Sequence, residues 1–198
     1  MNGHLECLQY AHNPGVGLHC PWGLHTCEAA ARNGHLDCLQ YAHENGCYWD
    51  ISICNAAANT GHLDCLQYAR NPINAYGELV GSPCGWDETT CSAAATYGHL
   101  NCLQYAHENG CAWDESTCDS AAINGHLNCL KYAHENKCRW YMNTCRFAAR
   151  NGKLVDLLQE MANLIVYNMH EIMDVVLDLK HKLIIYFFLN ICKATTIY

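Results

Sequence analysis

The amino-acid sequence predicts an all-α solenoid: short helix pairs stacked one on the next, with a divergent helical cap at the C-terminal end. Three observations predict it. The tripeptide Gly-His-Leu returns at Gly3, Gly34, Gly61, Gly98 and Gly125, and a Gly-Lys-Leu follows at Gly152. Three of the five intervals are 27 residues and the others are 31 and 37, a periodicity that marks a repeat array. Around each tripeptide the apolar residues fall at helical spacing in two runs of about three turns, too short to be stable alone in water. Each run therefore needs the units on either side of it.

The unit reads C-x-W-D-x-x-T-C-x-x-A-A-x-x-G-H-L-x-C-L-x-Y-A-x-E-N-G, and its elements follow in order. A first helix is expected after an aspartate (Asp50, Asp87, Asp114) whose carboxylate accepts from the orphan N–H groups of the first turn. It carries a Cys and an Ala-Ala pair and ends at the Gly of Gly-His-Leu, which suits a left-handed C′ residue. A second helix carries Leu, Cys, Leu, Tyr and Ala on a wide apolar face and stops at Asn-Gly. A Cys-x-Trp-Asp link leads to the next unit.

The repeat array is read over residues 1–155 and the cap over 156–198. Two insertions, near 13–19 and 71–83, both open with Asn-Pro, where proline should end the second helix. The longer carries Ile73, Tyr76, Leu79 and Val80, and is expected either to contact a partner or to pack on its neighbour. The first unit has only its second helix, so the apolar face of residues 5–11 is expected to be exposed. Beyond Gly152 the pattern dissolves: Asp156 replaces Cys and Gln159 replaces Tyr. Residues 160–192 keep helical spacing and read as one or two helices covering the last repeat, with the apolar LIIYFFLNIC alternatively a dimer contact or an aggregation-prone segment.

Composition narrows the function. A net charge of -8 without any basic stripe argues against a nucleic-acid binder and against an anionic membrane surface. The longest apolar run, 183–189, is too short to span a bilayer. The opening MNGHLECLQY reads as no secretory signal, so the 16 cysteines are expected as reduced thiols in a cytoplasmic setting. No glycine-rich phosphate cradle or isolated nucleophile breaks the repeat, so neither enzyme activity nor a cofactor is expected.

The cysteines form three columns: Cys27, Cys54, Cys91, Cys118 and Cys145 in the first helices; Cys7, Cys38, Cys65, Cys102 and Cys129 in the second; Cys20, Cys47, Cys84, Cys111 and Cys138 in the links. They read as small hydrophobes filling gaps. Zinc binding and thiol redox chemistry are the lesser readings, since no close Cys-x2-Cys pair is present. His4, His35, His62, His99 and His126 read as structural groups bonding backbone at the helix–helix turn, and Trp22, Trp49, Trp86, Trp113 and Trp140 as mortar between repeats, each N–H finding a carbonyl.

The segment AAxxGHLxCLxYAxENG resembles the two-helix core of the ankyrin repeat, over roughly residues 1–155. Thr26, Thr90, Thr117 and Thr144 fall where the ankyrin proline would be, and the first-helix cysteines where its leucine would be. At 27 residues this unit is six shorter than the usual ankyrin unit of about 33. The loss lies where ankyrins build their projecting finger. The short form marked by Cys and Trp is similar to ankyrin-like arrays of large amoeba-infecting DNA viruses, which implies a host protein as partner and the host cytoplasm as its place.

The resemblance also implies a concave face lined by first helices. Counting back from each Gly-His-Leu glycine, the most variable positions lie 10, 6 and 2 residues before it, four apart and hence on one stripe. The candidate protein-binding residues are Glu28 and Arg32, Asn55 and Asn59, Ser92 and Thr96, Asp119 and Ile123, Arg146 and Arg150, with Tyr76 of the longer insertion. Leu24, Ile51, Glu88, Glu115 and Met142 continue the stripe at its N-terminal end. The competing readings are a solvated face under no constraint, and a structural or truncated array with no specific partner.

Overall fold

The computed structural model describes residues 4–13, 15, 20–139 and 141–150, which form ten helices. Trp140, most of the 13–19 insertion and the cap expected over 156–198 lie outside the described residues. The described residues lie in one compact unit, Met1–Gly152.

The capping chemistry sets the helix starts. Asp50, Asp87 and Asp114 each accept from the backbone N–H two residues on, at 2.9 Å, and open α4 (Ile51–Thr60), α6 (Glu88–Tyr97) and α8 (Glu115–Asn124). At the start of α2 (Leu24–Arg32) a glycine takes this place, and Thr26 Oγ1 accepts from Gly23 N instead. The fifth first helix is α10 (Met142–Arg150). Gly61, Gly98 and Gly125 end α4, α6 and α8 in the left-handed region. The following histidine N–H then reaches back to the first-helix alanine, as His99 N does to Ala94 O at 2.9 Å.

The second helices are α1 (Leu5–His12), α3 (Leu36–Glu44), α5 (Leu63–Arg70), α7 (Leu100–Glu108) and α9 (Leu127–Glu135). Each ends where the link cysteine N–H bonds the helix's last alanine: Cys47 to Ala42, Cys111 to Ala106 and Cys138 to Ala133, all at 2.9 Å. Cys84 N makes the same bond to Ala69 O at 2.8 Å across the ten extra residues. The longer insertion is thus looped out, and the next unit starts as if it were absent.

First helices pack on first helices in the series α2, α4, α6, α8, α10, second helices on second helices from α1 to α9, and the two series join within each unit. The core is thin and built of small residues. Ala57, Ala58, Ala94, Ala95 and Ala121 are fully buried between first helices, and Leu39, Leu66, Leu103 and Leu130 supply the largest buried side chains below them. Alanine lets the helix axes approach closely, which matches the tighter packing along the first-helix series.

The Gly-His-Leu motif has a second cause besides its turn. A Cβ on Gly34, Gly61 or Gly98 would lie 2.4–2.5 Å from Nδ1 of His62, His99 or His126 in the next unit. Each such histidine lies flat on the preceding glycine. His126 also contacts the Thr96 carbonyl through Nε2 at 3.1 Å, so the backbone bond expected of this histidine is made to the unit before.

Candidate binding surface

The stripe residues of α2 and α4 lie along a shallow groove of about 350 Å³ lined by Glu28 and Arg32, Asn55 and Asn59, and Thr89 of α6. Four predicted residues from two units thus share one depression. Arg32 Nη2 donates to Glu28 Oε1 at 2.5 Å, and His25 lies 3.3 Å from Glu28 Oε2. These two neighbours hold the Glu28 carboxyl below its ordinary range, Arg32 more than His25. Half the Arg32 side chain remains exposed.

Several stripe residues also serve the stack. Asn55 Oδ1 accepts from the buried Thr90 hydroxyl of the next unit at 2.6 Å, while its Nδ2 donates to Thr89 Oγ1 at 2.8 Å. Asp119 Oδ1 accepts from the buried Thr144 hydroxyl at 2.5 Å. The residue six before the glycine is therefore bound to the threonine column of the following unit. In the unit after Glu28 that column holds Ile53, which has no hydroxyl to satisfy, and Glu28 pairs with Arg32 instead. Ser92 is too short to reach across. Its Oγ donates to its own helix at Thr89 O, and the buried Thr117 hydroxyl has no partner. Thr96 bonds back to Ser92 O at 2.7 Å. Ile123 and Arg146 are exposed, whereas the side chain of Arg150 lies outside the described residues.

The longer insertion forms a finger. Ile73 and Leu79 pair as an isolated antiparallel bridge, Val80 N donates to Pro72 O at 2.7 Å, and Asn74 Oδ1 accepts from both Tyr76 N and Glu78 N. Pro72 is buried at the base, and Gly81 lies close to the His43 ring. The tip carries Tyr76 at 89% exposure, Leu79 at 59% and Ile73 at 43%. The base of the insertion packs on its neighbour, and its apolar tip faces outward.

A further column, the residue after Tyr-Ala in each second helix, escapes the sequence reading. His43 stacks on Trp49 at 3.5 Å and His107 on Trp113 at 3.7 Å, with Nδ1 of each about 3 Å from the hydroxyl of Tyr68 or Tyr132. Where the column holds Arg70, its guanidinium sits 4.1 Å over Trp86. Trp22, Trp49, Trp86 and Trp113 pack against rings or a guanidinium of the second helices, and two of their N–H groups reach carbonyls: Trp22 to Asn45 O and Trp49 to Ser82 O. A column of His, with Arg once in its place, before every Trp was the available signal, since both stack on indole.

Fourteen described cysteines are free thiols, and all but Cys7 and Cys20 are buried. Among the described residues no three His, Cys, Asp or Glu side chains gather as a metal site, and no helix is long and apolar enough to cross a membrane. No protein-family model matches this chain, and no curated protein matches it.

Proposed function

We propose that this chain is a protein-binding module: an ankyrin-like solenoid, without catalytic activity or cofactor, that grips a partner protein on the first-helix face. The observation that carries this reading is the groove across α2, α4 and α6, where Glu28, Arg32, Asn55 and Asn59 mix charge and amide groups over an alanine floor. Such a surface suits a polar peptide segment with one or two ionic contacts. On the viral resemblance, the partner is a host protein met in the host cytoplasm. The exposed Tyr76 tip supplies an aromatic contact of the kind enriched at interfaces.

A second reading, an array with no specific partner, draws support from Asn55 and Asp119, which are already engaged by Thr90 and Thr144. The test therefore leaves these two residues intact. Wild type is compared with Arg32→Glu/Asn59→Arg and with Tyr76→Ala as bait in a lysate of an amoeba host, after circular dichroism and urea midpoints establish equal folding. A partner retained by wild type and lost by the groove variant supports binding on this face. Identical captures from all three baits favour the second reading.

A further inference from the structure

Two of the cysteine columns meet. Cys47 Sγ donates to Gly23 O at 3.5 Å, Cys84 Sγ to Asp50 O at 2.7 Å, Cys111 Sγ to Asp87 O at 3.0 Å and Cys138 Sγ to Asp114 O at 3.1 Å. These carbonyls belong to the N-cap residues of α2, α4, α6 and α8. An N-cap carbonyl points along the helix toward the residue four positions on. In all four helices that residue is a cysteine: Cys27, Cys54, Cys91 and Cys118. Each link thiol is thus set beside the first-helix thiol of the preceding unit. All eight sulfurs belong to residues no more than 4% exposed.

We propose that Cys27–Cys47, Cys54–Cys84, Cys91–Cys111 and Cys118–Cys138 are oxidisable dithiol sites that a peroxide closes into a ladder of disulfides, each stapling a first helix to the link of the next unit. The sites hold two sulfurs each and no third ligand among the described residues, so they lack the donor set of tetrahedral zinc. The second-helix column differs. Cys38, Cys65, Cys102 and Cys129 are buried on the second helices, away from the N-caps where the other two columns meet, and they stay reduced.

The two thiols of a pair have separate roles. The link thiol is the more exposed of the two, at 2–4% against 0% for the first-helix thiol, so peroxide meets it first. The link sulfur, as thiolate, attacks one peroxide oxygen. The O–O bond breaks, the link cysteine becomes a sulfenic acid, and the departing oxygen leaves as water or alcohol with the proton the link thiol gave up. The first-helix sulfur then attacks the sulfenic sulfur. The S–S bond forms, the S–O bond breaks, and hydroxide leaves as water with the first-helix proton. Two thiols lose two electrons and the peroxide gains them.

The staples would cross-link units whose mutual stacking provides the stability of the array. They close loops between residues 20 apart, or 30 for Cys54 and Cys84. In the test, the full chain is reduced, freed of reductant, exposed to hydrogen peroxide, and quenched with N-ethylmaleimide. Non-reducing peptide mass spectrometry should find the four named linkages, with loss of two hydrogens for each. The melting temperature should rise by about 5 °C or more, reversibly on reduction. Cys111→Ala and Cys91→Ala should each delete only the Cys91–Cys111 linkage. A misfolded variant would instead scramble all four, and the intact three serve as the folding control. Eight cysteines recovered as alkylated thiols from the oxidised native protein, or linkages drawn from the second-helix column, would overturn the proposal.

Discussion

Helices α1 and α7 are nearly the same peptide, LECLQYAH and LNCLQYAH, yet they have opposite fates. In α7, Cys102, Leu103 and Ala106 are fully buried. In α1 no residue is buried: Cys7 and Ala11 are exposed and Leu8 half so. The difference lies in the neighbours. Helix α7 packs on α6 of its own unit and on α5 before it, whereas α1 packs mainly on α3. An apolar groove of about 570 Å³, lined by residues such as Cys7, Leu8, Ala11 and Ala29, lies between α1 and α2. The hydrophobic stripe is a property of the peptide, but its contribution to stability comes from the unit stacked against it.

The largest test of this comparison makes one substitution in both helices. Leu103→Ala should cost about 2–5 kcal/mol, the range for a fully buried leucine. Leu8→Ala, half-buried at the end of the stack, should cost below about 1 kcal/mol. Urea midpoints measure both, and equal losses would mean that burial does not govern the array.

The threonine column offers a second contrast within one chain. Asn55→Ala strips Thr90 of its acceptor and should cost about 1–3 kcal/mol, whereas Ser92→Ala, which leaves Thr117 as it was, should be near neutral. The reverse change, Ser92→Asn, supplies the orphaned Thr117 hydroxyl with the acceptor that Asn55 gives Thr90. It should stabilise by about 1 kcal/mol, and an unchanged urea midpoint would count against this account of the column.

A third contrast compares the closing turns. Gly46 and Gly110 have φ of +84°, and the equivalent residue in the fourth full unit is Lys137 at +66°. A side chain in the left-handed region costs about 1–2 kcal/mol. Lys137→Gly should therefore raise the thermal midpoint, and Gly110→Lys should lower it by a similar amount.

The smallest expected effect is pH dependence. Burial holds His43, His99, His107 and His134 below the ordinary histidine value of 6.5. Below 6.5 the unfolded chain therefore binds more protons than the folded one. The stability these histidines contribute is present above that value and declines as pH falls toward their folded values. Thermal midpoints should drop between neutral and mildly acid pH. His107→Phe, which keeps an aromatic ring against Trp113, should reduce that slope.

The sequence alone determined the period, both helices of each unit, their aspartate caps and glycine stops, and the looped-out position of the longer insertion. These depend on local chemistry: a carboxylate reaches an N–H two residues away, and a left-handed residue is set by its own φ. Only the tertiary structure decided which columns meet. The stripe that looked free to vary turned out to carry the acceptors Asn55 and Asp119 for the next unit's threonines. The cysteine columns turned out to be two paired and one solitary, and the tryptophans found the His and Arg column before them. The physical reason is that these contacts join neighbouring units, where insertions change the sequence separation while leaving the stacking intact. Paired cysteines are 20 residues apart in three places and 30 in the fourth, so spacing does not reveal them until the helices are stacked.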